Sequence, residues 1–319
     1  MRLQQRSFRF DLCQPLQTAA GVLEERRGWL LRLEDGNGRL GWGEVAPLAA
    51  DQLALCSAQL ERLRQVSCRH QLEALLPGSP PALAFGLGAA LAELDGLLGS
   101  PAQPWLNSPP PAWLLPSGEK MCGVLEAVLA QHDEQSALTF KWKVAAGEDA
   151  HERRLLVQLL ERLPATCRLR LDANGGWDRA TAHSWMGVLA GDPRFAWLEQ
   201  PLAVADQEGL RALARLGPVA LDESLDHDPT LRQSWPGWQV RRPSQEGDPR
   251  PLLRELKAGW PWRMLSTAFE TGIGRRWLNH LAALQWQGPT PAAPGFAPGW
   301  CPDGDLFGAD PAEVWGAAA

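Results

Sequence analysis

Apolar and polar positions alternate along Ser7-Phe8-Arg9-Phe10-Asp11-Leu12 and again along Gly28-Trp29-Leu30-Leu31-Arg32-Leu33-Glu34, the period of half-buried strands. Asp35-Gly36-Asn37-Gly38 is a hairpin turn leading into Arg39-Leu40-Gly41-Trp42-Gly43-Glu44, so residues 1 to about 45 read as antiparallel β structure. The intervening segment, Gln14 to Arg27, reads equally as an ordinary loop or as a flexible lid. From Asp51 to Leu76 the period becomes helical, with Leu53, Leu60, Leu63 and Leu72 set among polar residues. After the break at Pro77-Gly78-Ser79-Pro80-Pro81, the stretch Ala82 to Leu98 is almost wholly apolar, which predicts a helix buried against other helices or a second domain. Proline-rich residues 101–111 read as a linker.

Past Pro111 the pattern repeats at the scale of one strand, one helix and two loops. Strands are predicted at 112–115, 138–144, 168–172, 195–199, 218–222, 237–243 and 263–266. Helices are predicted at 119–132, 150–163, 178–190, 206–215, 249–258 and 274–284. This is the arithmetic of an α/β, TIM-like (β/α)7β barrel, whose functional groups sit on the C-terminal strand ends. The chain therefore divides into an α+β capping domain over residues 1–100, a barrel over 101–287 and a tail over 288–319. The tail is expected to carry one short strand and to pack back on the cap.

Composition narrows the function. Hydrophobic residues make up 45% of the 319 and charged ones 21%, so a packed core is expected rather than disorder. A net charge of −6 argues against nucleic acid or an anionic membrane as the main partner. No apolar run is long enough to span a membrane, and no signal-peptide block follows Met1-Arg2-Leu3-Gln4-Gln5-Arg6, which predicts a cytoplasmic protein. Six cysteines without a C-x-x-C pair read as reduced thiols, not a zinc site. The chain has no Tyr, so a tyrosine acid/base is excluded, and its six histidines, lacking any H-x-H or H-x-x-x-H pair, are given surface roles.

The candidate chemistry starts at Leu169-Arg170-Leu171-Asp172-Ala173-Asn174-Gly175-Gly176, a strand delivering a carboxylate to its end before a tight turn. Trp197-Leu198-Glu199-Gln200-Pro201 and Ala220-Leu221-Asp222-Glu223-Ser224 repeat the theme at steps of 27 and 23 residues. One such acid alone is well explained as a turn or helix cap. Three at βα spacing converge on one face, which is what a hard divalent cation requires. Lys141 and Lys143 lie two apart on one strand and share a face, while Phe140, Trp142 and Val144 share the other. Lysines under a helical layer would be costly, so the pair is read as facing the barrel interior. Neighbouring positive charge would depress one lysine's pKa and make it a base near neutral pH. Such a base, with a cation offsetting the developing charge, suits removal of a weakly acidic proton α to a carboxylate. Arg170 either faces the interior two positions before Asp172 or pairs with a buried acid, and Glu270 reads as a helix N-terminal charge without substrate contact.

Taken together, Lys141-x-Lys143, Asp172-x-Asn174, Glu199 and Asp222-Glu223 resemble the enolase superfamily in its muconate lactonizing enzyme branch. Gly41-Trp42-Gly43-Glu44-Val45-Ala46-Pro47-Leu48, Ala84-Phe85-Gly86, Asp222-Glu223-Ser224-Leu225 and Ser266-Thr267-Ala268-Phe269-Glu270-Thr271-Gly272-Ile273-Gly274 are similar to segments of the o-succinylbenzoate synthase family. The resemblance runs from about residue 7 to 285. It implies a Mg²⁺-dependent lyase, with Mn²⁺ as a possible substitute, that dehydrates 2-succinyl-6-hydroxy-2,4-cyclohexadiene-1-carboxylate to 2-succinylbenzoate for menaquinone or phylloquinone. It gives Asp172, Glu199 and Asp222 as metal ligands, Lys143 as the acid/base and Lys141 as its auxiliary. Asn174 and Glu223 would orient the ligands. Ser266 and Thr267 would meet the succinyl tail, although small residues packed under a barrel rim explain them as well.

One position departs from the family. Its usual lysine before a proline at the sixth barrel strand is replaced in Val240-Arg241-Arg242-Pro243 by Arg242, or by Arg241 if the register slips one residue. An arginine holds its proton at physiological pH, so it can lie against an anionic ring but cannot act as a second base. That disfavours the alternative, an N-succinylamino acid racemase or dipeptide epimerase.

Overall fold

The computed structural model describes residues 1–18, 21–63, 68–133 and 135–318. Three antiparallel strands, β1 (Arg2–Thr18), β2 (Gly21–Glu34) and β3 (Leu40–Val45), form the first sheet. Gly38 at φ 77° and the Asp35 carboxylate, which accepts from the Asn37 and Arg39 N–H groups, make the β2–β3 turn. The 14–27 segment is not a loop. Its two limbs extend the hairpin, pairing Leu16 with Leu23, Gln17 with Val22 and Thr18 with Gly21 after a register shift beyond Asp11. Residues 19 and 20 of the expected loop or lid lie outside the described residues. No alternation marks these limbs in the sequence, where Gln14-Pro15-Leu16-Gln17-Thr18 and Gly21-Val22-Leu23-Glu24-Glu25-Arg26-Arg27 carry no period-2 pattern.

Helices α1 (Ala50–Leu63), α2 (Arg69–Leu75) and α3 (Pro81–Leu94) cover this sheet. Their Leu60, Leu63, Leu72, Leu83, Leu87 and Leu91 pack against Leu31, Leu33 and Val45. A Cβ on Gly43 would lie 1.9 Å from the Gly86 carbonyl oxygen, so glycine lets the α3 backbone rest directly on β3. The opposite side of α3, with Phe85, Ala89 and Ala92, is buried as well, as its unbroken apolar character predicted.

The chain then alternates β4 (Trp113–Leu115), α4 (Lys120–Leu129), β5 (Thr139–Lys143), α5 (Asp149–Arg162), β6 (Arg168–Asp172), α6 (Arg179–Leu189), β7 (Phe195–Glu199), α7 (Gln207–Leu213) and β8 (Val219–Leu221). Two short helices, α8 (Glu223–His227) and α9 (Leu231–Ser234), replace the single helix of a regular unit. At five and four residues they carry too little periodicity to be read from sequence. The chain continues through β9 (Trp238–Arg241), α10 (Arg250–Lys257), β10 (Arg263–Leu265) and α11 (Gly272–Gln287). Strands β4 to β10 form one seven-stranded sheet in chain order, the curled parallel sheet of a TIM-like α/β fold. In the tail no strand forms among the described residues. A single parallel bridge joins Ser266 to Gly295, and α12 (Pro311–Ala317) follows.

Two sets of residues pack among themselves: Met1–Pro110 with Arg241–Pro261 and Leu265–Ala319, and Pro111–Val240 with Trp262–Met264. This division differs from sequence segments 1–100, 101–287 and 288–319, and its reason is visible in the first set. Leu252, Leu253 and Leu256 of α10 and Trp277 and Leu281 of α11 share a core with Phe85, Ala89 and Ala92 of α3. Buried Glu44 of β3 accepts from Thr271 N, Thr271 Oγ1 and Gly274 N at the start of α11, and burial with the nearby Glu270 charge pushes its pKa up to about 7. The tail packs on β1 and β3 through Trp315 against Trp42 and Phe307 against Phe10.

His280 corrects the surface role given to the histidines. It is 3% exposed on α11, takes the Leu106 N–H on Nδ1, and stacks edge-on against Trp105. Burial, with Lys257 nearby, lowers its pKa to about 4, so it stays neutral while an unfolded chain would protonate near 6.5. The stability this confers is complete above pH 6.5 and is lost as pH falls toward 4. Between pH 7 and 5 the loss amounts to about 2 kcal/mol. Urea unfolding of the wild type and His280→Gln at both pH values should show the wild type losing more stability by about that amount, whereas equal losses would refute the assignment.

Candidate functional site

Alternation on three neighbouring strands divides their side chains between two faces. Phe140, Trp142 and Val144 of β5 and beyond, Leu169 and Leu171 of β6, and Leu198 of β7 belong to the core under α5 and α6. Lys141, Lys143, Arg170, Asp172, Trp197 and Glu199 therefore share the other, inner face, as expected for the lysines. Parallel register places Lys143 beside Asp172 and Asp172 beside Glu199 as the last residues of their strands. Asp222 follows directly after β8 at the same sheet edge.

Lys141 does not behave as a depressed amine. Its Nζ lies 2.8 Å from Asp172 Oδ2 and 2.6 Å from Glu199 Oε1. Burial favours the neutral form, but the charges of the two carboxylates and the hydrogen bonds to both outweigh it, so the pKa stands above that of an ordinary lysine. The expectation that one of the two lysines is depressed therefore does not fall on Lys141. Lys143 is half-buried on the same face.

Beneath this layer, Arg170 faces the interior, settling the alternatives left by the sequence. Its guanidinium carbon is 4.1 Å from the Trp197 ring centroid, and Trp197 lies tilted against Trp238, which meets Trp262 edge-on. Burial, partly offset by Glu199, lowers the Arg170 pKa to about 9.

Asn174 Nδ2 donates to Glu223 Oε1 at 3.0 Å, while Asn174 Oδ1 and Glu223 Oε2 are buried acceptors without a protein partner. Burial and then the Asp172 charge raise the Glu223 pKa. Gln200, unremarked in the sequence, joins the ends of β7 and β8. Its Oε1 accepts from Asp222 N and Ser224 N, and its Nε2 donates to Leu202 O and Ser224 Oγ. Fully buried and satisfied, it ties the backbone of Glu199 to that of Asp222. Its only sequence signal was an amide directly after a strand-end acid.

Among the described residues no three His, Cys, Asp or Glu side chains stand close enough together to share an ion. The Lys141 ammonium holds Asp172 and Glu199, and Asp222 is placed by its backbone. The donor chemistry nevertheless fits a hard divalent cation: every group offered is an oxygen, and the buried carboxylates Asp172, Glu199 and Asp222 end neighbouring strands at one sheet edge. The partnerless Asn174 Oδ1 and Glu223 Oε2 add further acceptors.

In the other set of packed residues, Arg241 is committed to Glu246, at 2.5 Å, and lies 3.6 Å from Glu255. Arg242, half-buried, is the next residue along, and its N–H donates to Glu246. Ser266 Oγ donates to Gly295 O, and Thr267 Oγ1 donates to Glu270 while accepting from Phe269 N. Glu270 is more than a helix-end charge. It is 2% exposed and also accepts from Ser244 Oγ and Ala268 N.

Comparison with known proteins follows the same lines. The family described as "MenC, N-terminal domain" matches residues 6–94, and "Enolase C-terminal domain-like" matches residues 124–234. The chain is 36% identical over 299 residues to the o-succinylbenzoate synthase of Thermosynechococcus vestitus, covering 90% of each. The crystal structure of o-succinylbenzoate synthase from Thermosynechococcus elongatus BP-1, complexed with Mg in its active site, superposes with a TM-score of 0.82 at 32% identity, covering 99% of both chains. A dipeptide epimerase from Enterococcus faecalis V583 shares the fold, with a TM-score of 0.71 at 22% identity over 92% of this chain and 89% of that one.

Removing the Lys141 ammonium leaves Asp172 and Glu199 buried without compensation, a change that costs about 3–5 kcal/mol. Lys141→Met should therefore melt well below the wild type without divalent ions and recover more stability than the wild type when millimolar divalent cation is added. Equal melting with and without the ion in both proteins would contradict this electrostatic account of the site.

Proposed function

The chain belongs to the o-succinylbenzoate synthase family, and from that premise we propose that it dehydrates 2-succinyl-6-hydroxy-2,4-cyclohexadiene-1-carboxylate to 2-succinylbenzoate on the route to menaquinone or phylloquinone. The observation that carries the assignment of roles is the bridging of Lys141 between two carboxylates. Lys141 is tied between Asp172 and Glu199 and stays an ammonium, so it cannot accept a proton. Lys143, two residues on and level with Asp172 in register, is the amine given the proton transfer.

Lys143, as its neutral amine, takes the proton from the carbon α to the substrate carboxylate. The same group, now an ammonium on the same side of the ring, returns that proton to the departing hydroxide, which leaves as water. Asp172, Glu199 and Asp222 would hold Mg²⁺, or Mn²⁺ in its place, with Asn174 and Glu223 orienting the ligands. A cation so held supplies compensation for the negative charge that grows on the substrate carboxylate as the proton leaves. Lys141 contributes a fixed positive charge beside that carboxylate. Arg242, a permanent cation, suits contact with the planar anionic ring, and Ser266 and Thr267 suit the succinyl tail.

Purified protein with Mg²⁺ should convert the cyclohexadiene carboxylate to 2-succinylbenzoate. Lys143→Ala should lower kcat at least about 100-fold while circular dichroism stays unchanged. Chelation with EDTA should abolish turnover and added Mg²⁺ restore it. In D₂O, an N-succinyl amino acid that exchanged rapidly with inversion, faster than the dehydration, would move the chain to the racemase reading.

A further inference from the structure

A buried acid outside the set described above binds the backbone just after the proposed base. Glu152, on the first turn of α5, is 2% exposed, and its carboxylate accepts three consecutive backbone N–H groups: Ala145 at 2.8 Å, Ala146 at 3.0 Å and Gly147 at 3.0 Å. Converging amides of this kind form a concave anion site, here filled by the chain's own side chain. The segment they belong to begins two residues after Lys143. Val144 N donates to Asp172 O at 2.9 Å, which continues the β5–β6 register one residue past the base. The backbone then turns sharply, with Ala145 at φ 56°, a conformation that a residue bearing a Cβ adopts at a cost. Ala145 also sits against the turn after Asp172, where a Cβ on Gly176 would come within 2.9 Å of the Ala145 Cβ.

We infer that Glu152 is a positioning residue: by clamping the strained turn at Ala145–Gly147 it fixes the end of β5, and with it the Lys143 amine, against the Asp172 strand. The inference rests on the role given to Lys143 above. It requires no contact between Glu152 and substrate. A side chain that ends on the backbone just after a general base acts through the geometry of proton transfer, where displacement of about an ångström can lower the rate by two orders of magnitude.

The test compares wild type, Glu152→Gln and Glu152→Gln/Ala145→Gly. The amide keeps the volume but turns a donor toward the Ala145–Gly147 N–H groups, and the glycine removes the penalty of positive φ, so the turn can hold without the full clamp. Two readouts are taken: kcat and KM for the cyclohexadiene carboxylate with Mg²⁺, and the acetylation rate of Lys143 by acetic anhydride, mapped by mass spectrometry with Lys257 as internal reference. Glu152→Gln should lose kcat by roughly tenfold or more, keep KM within about twofold, and change Lys143 acetylation relative to Lys257 by at least about threefold. The added Ala145→Gly should restore at least half of both. Wild-type kcat and Lys143 reactivity in Glu152→Gln, or a kcat loss no larger than the loss of folded protein, would overturn the inference. Should the wild type fail to turn over this substrate, the functional reading falls while the Lys143 reactivity still decides for or against the clamp.

Discussion

Everything at the candidate site depends on how buried negative charge is balanced at the ends of three neighbouring parallel strands. Asp172 and Glu199 are almost completely buried and adjacent in register, an arrangement that would be strongly unfavourable without a cation. The Lys141 ammonium answers both at hydrogen-bond distance, from a position on β5 two residues before the strand end. The barrel interior below is finished with a guanidinium over paired indoles, Arg170 over Trp197 and Trp197 tilted against Trp238, which adds positive charge there.

The backbone around the site is held in an unusual state. Three non-glycine residues in the left-handed region follow the functional strand ends: Ala145 after Lys143, Asn174 after Asp172, and Gln200 after Glu199. Each is over-determined by hydrogen bonds. Glu152 holds the first turn, Asn174 is fixed to Glu223 and to the Asp172 carboxylate, and Gln200 makes four bonds spanning two strand ends. Strain of this kind persists only where neighbouring contacts over-specify it, and it coincides here with the residues whose side chains must be aimed. Gln200 and Glu152 thus belong to the machinery of the site although neither points a charge at it.

How far the sequence could be read follows from the range of the interactions involved. Period-2 alternation in Phe140-Lys141-Trp142-Lys143-Val144 assigned the inner and outer faces correctly, because burial against α5 and α6 is what that alternation encodes. Strand-end acids at βα spacing were legible for the same reason: parallel topology converts spacing into a common edge. The electrostatics were not legible, since the raised pKa of Lys141 depends on two carboxylates 31 and 58 residues away in the chain. His280 was misassigned because its burial comes from the 101–110 segment and Trp105, which no local pattern reports. The limbs of the long hairpin were missed because their sequence carries no period-2 alternation, and α8 and α9 because they are too short to show a helical period.

The distribution of bases bears on which reaction this scaffold can support. Inverting a carbon centre needs a proton acceptor on each side of it, whereas a syn-dehydration needs one group that takes a proton and returns it on the same side. On β5, Lys141 is bridged between two carboxylates and stays an ammonium, which leaves the acid/base role with Lys143 in this reading. The sixth strand of the sheet ends in Arg241, which is committed to Glu246, and continues into Arg242, and neither guanidinium releases a proton at physiological pH. A racemase would have to find its second base elsewhere in a chain that has no tyrosine and whose one deeply buried histidine, His280, is engaged with Leu106 and Trp105. A dehydration asks nothing further of it, because the proton that Lys143 removes is the proton the leaving hydroxide needs.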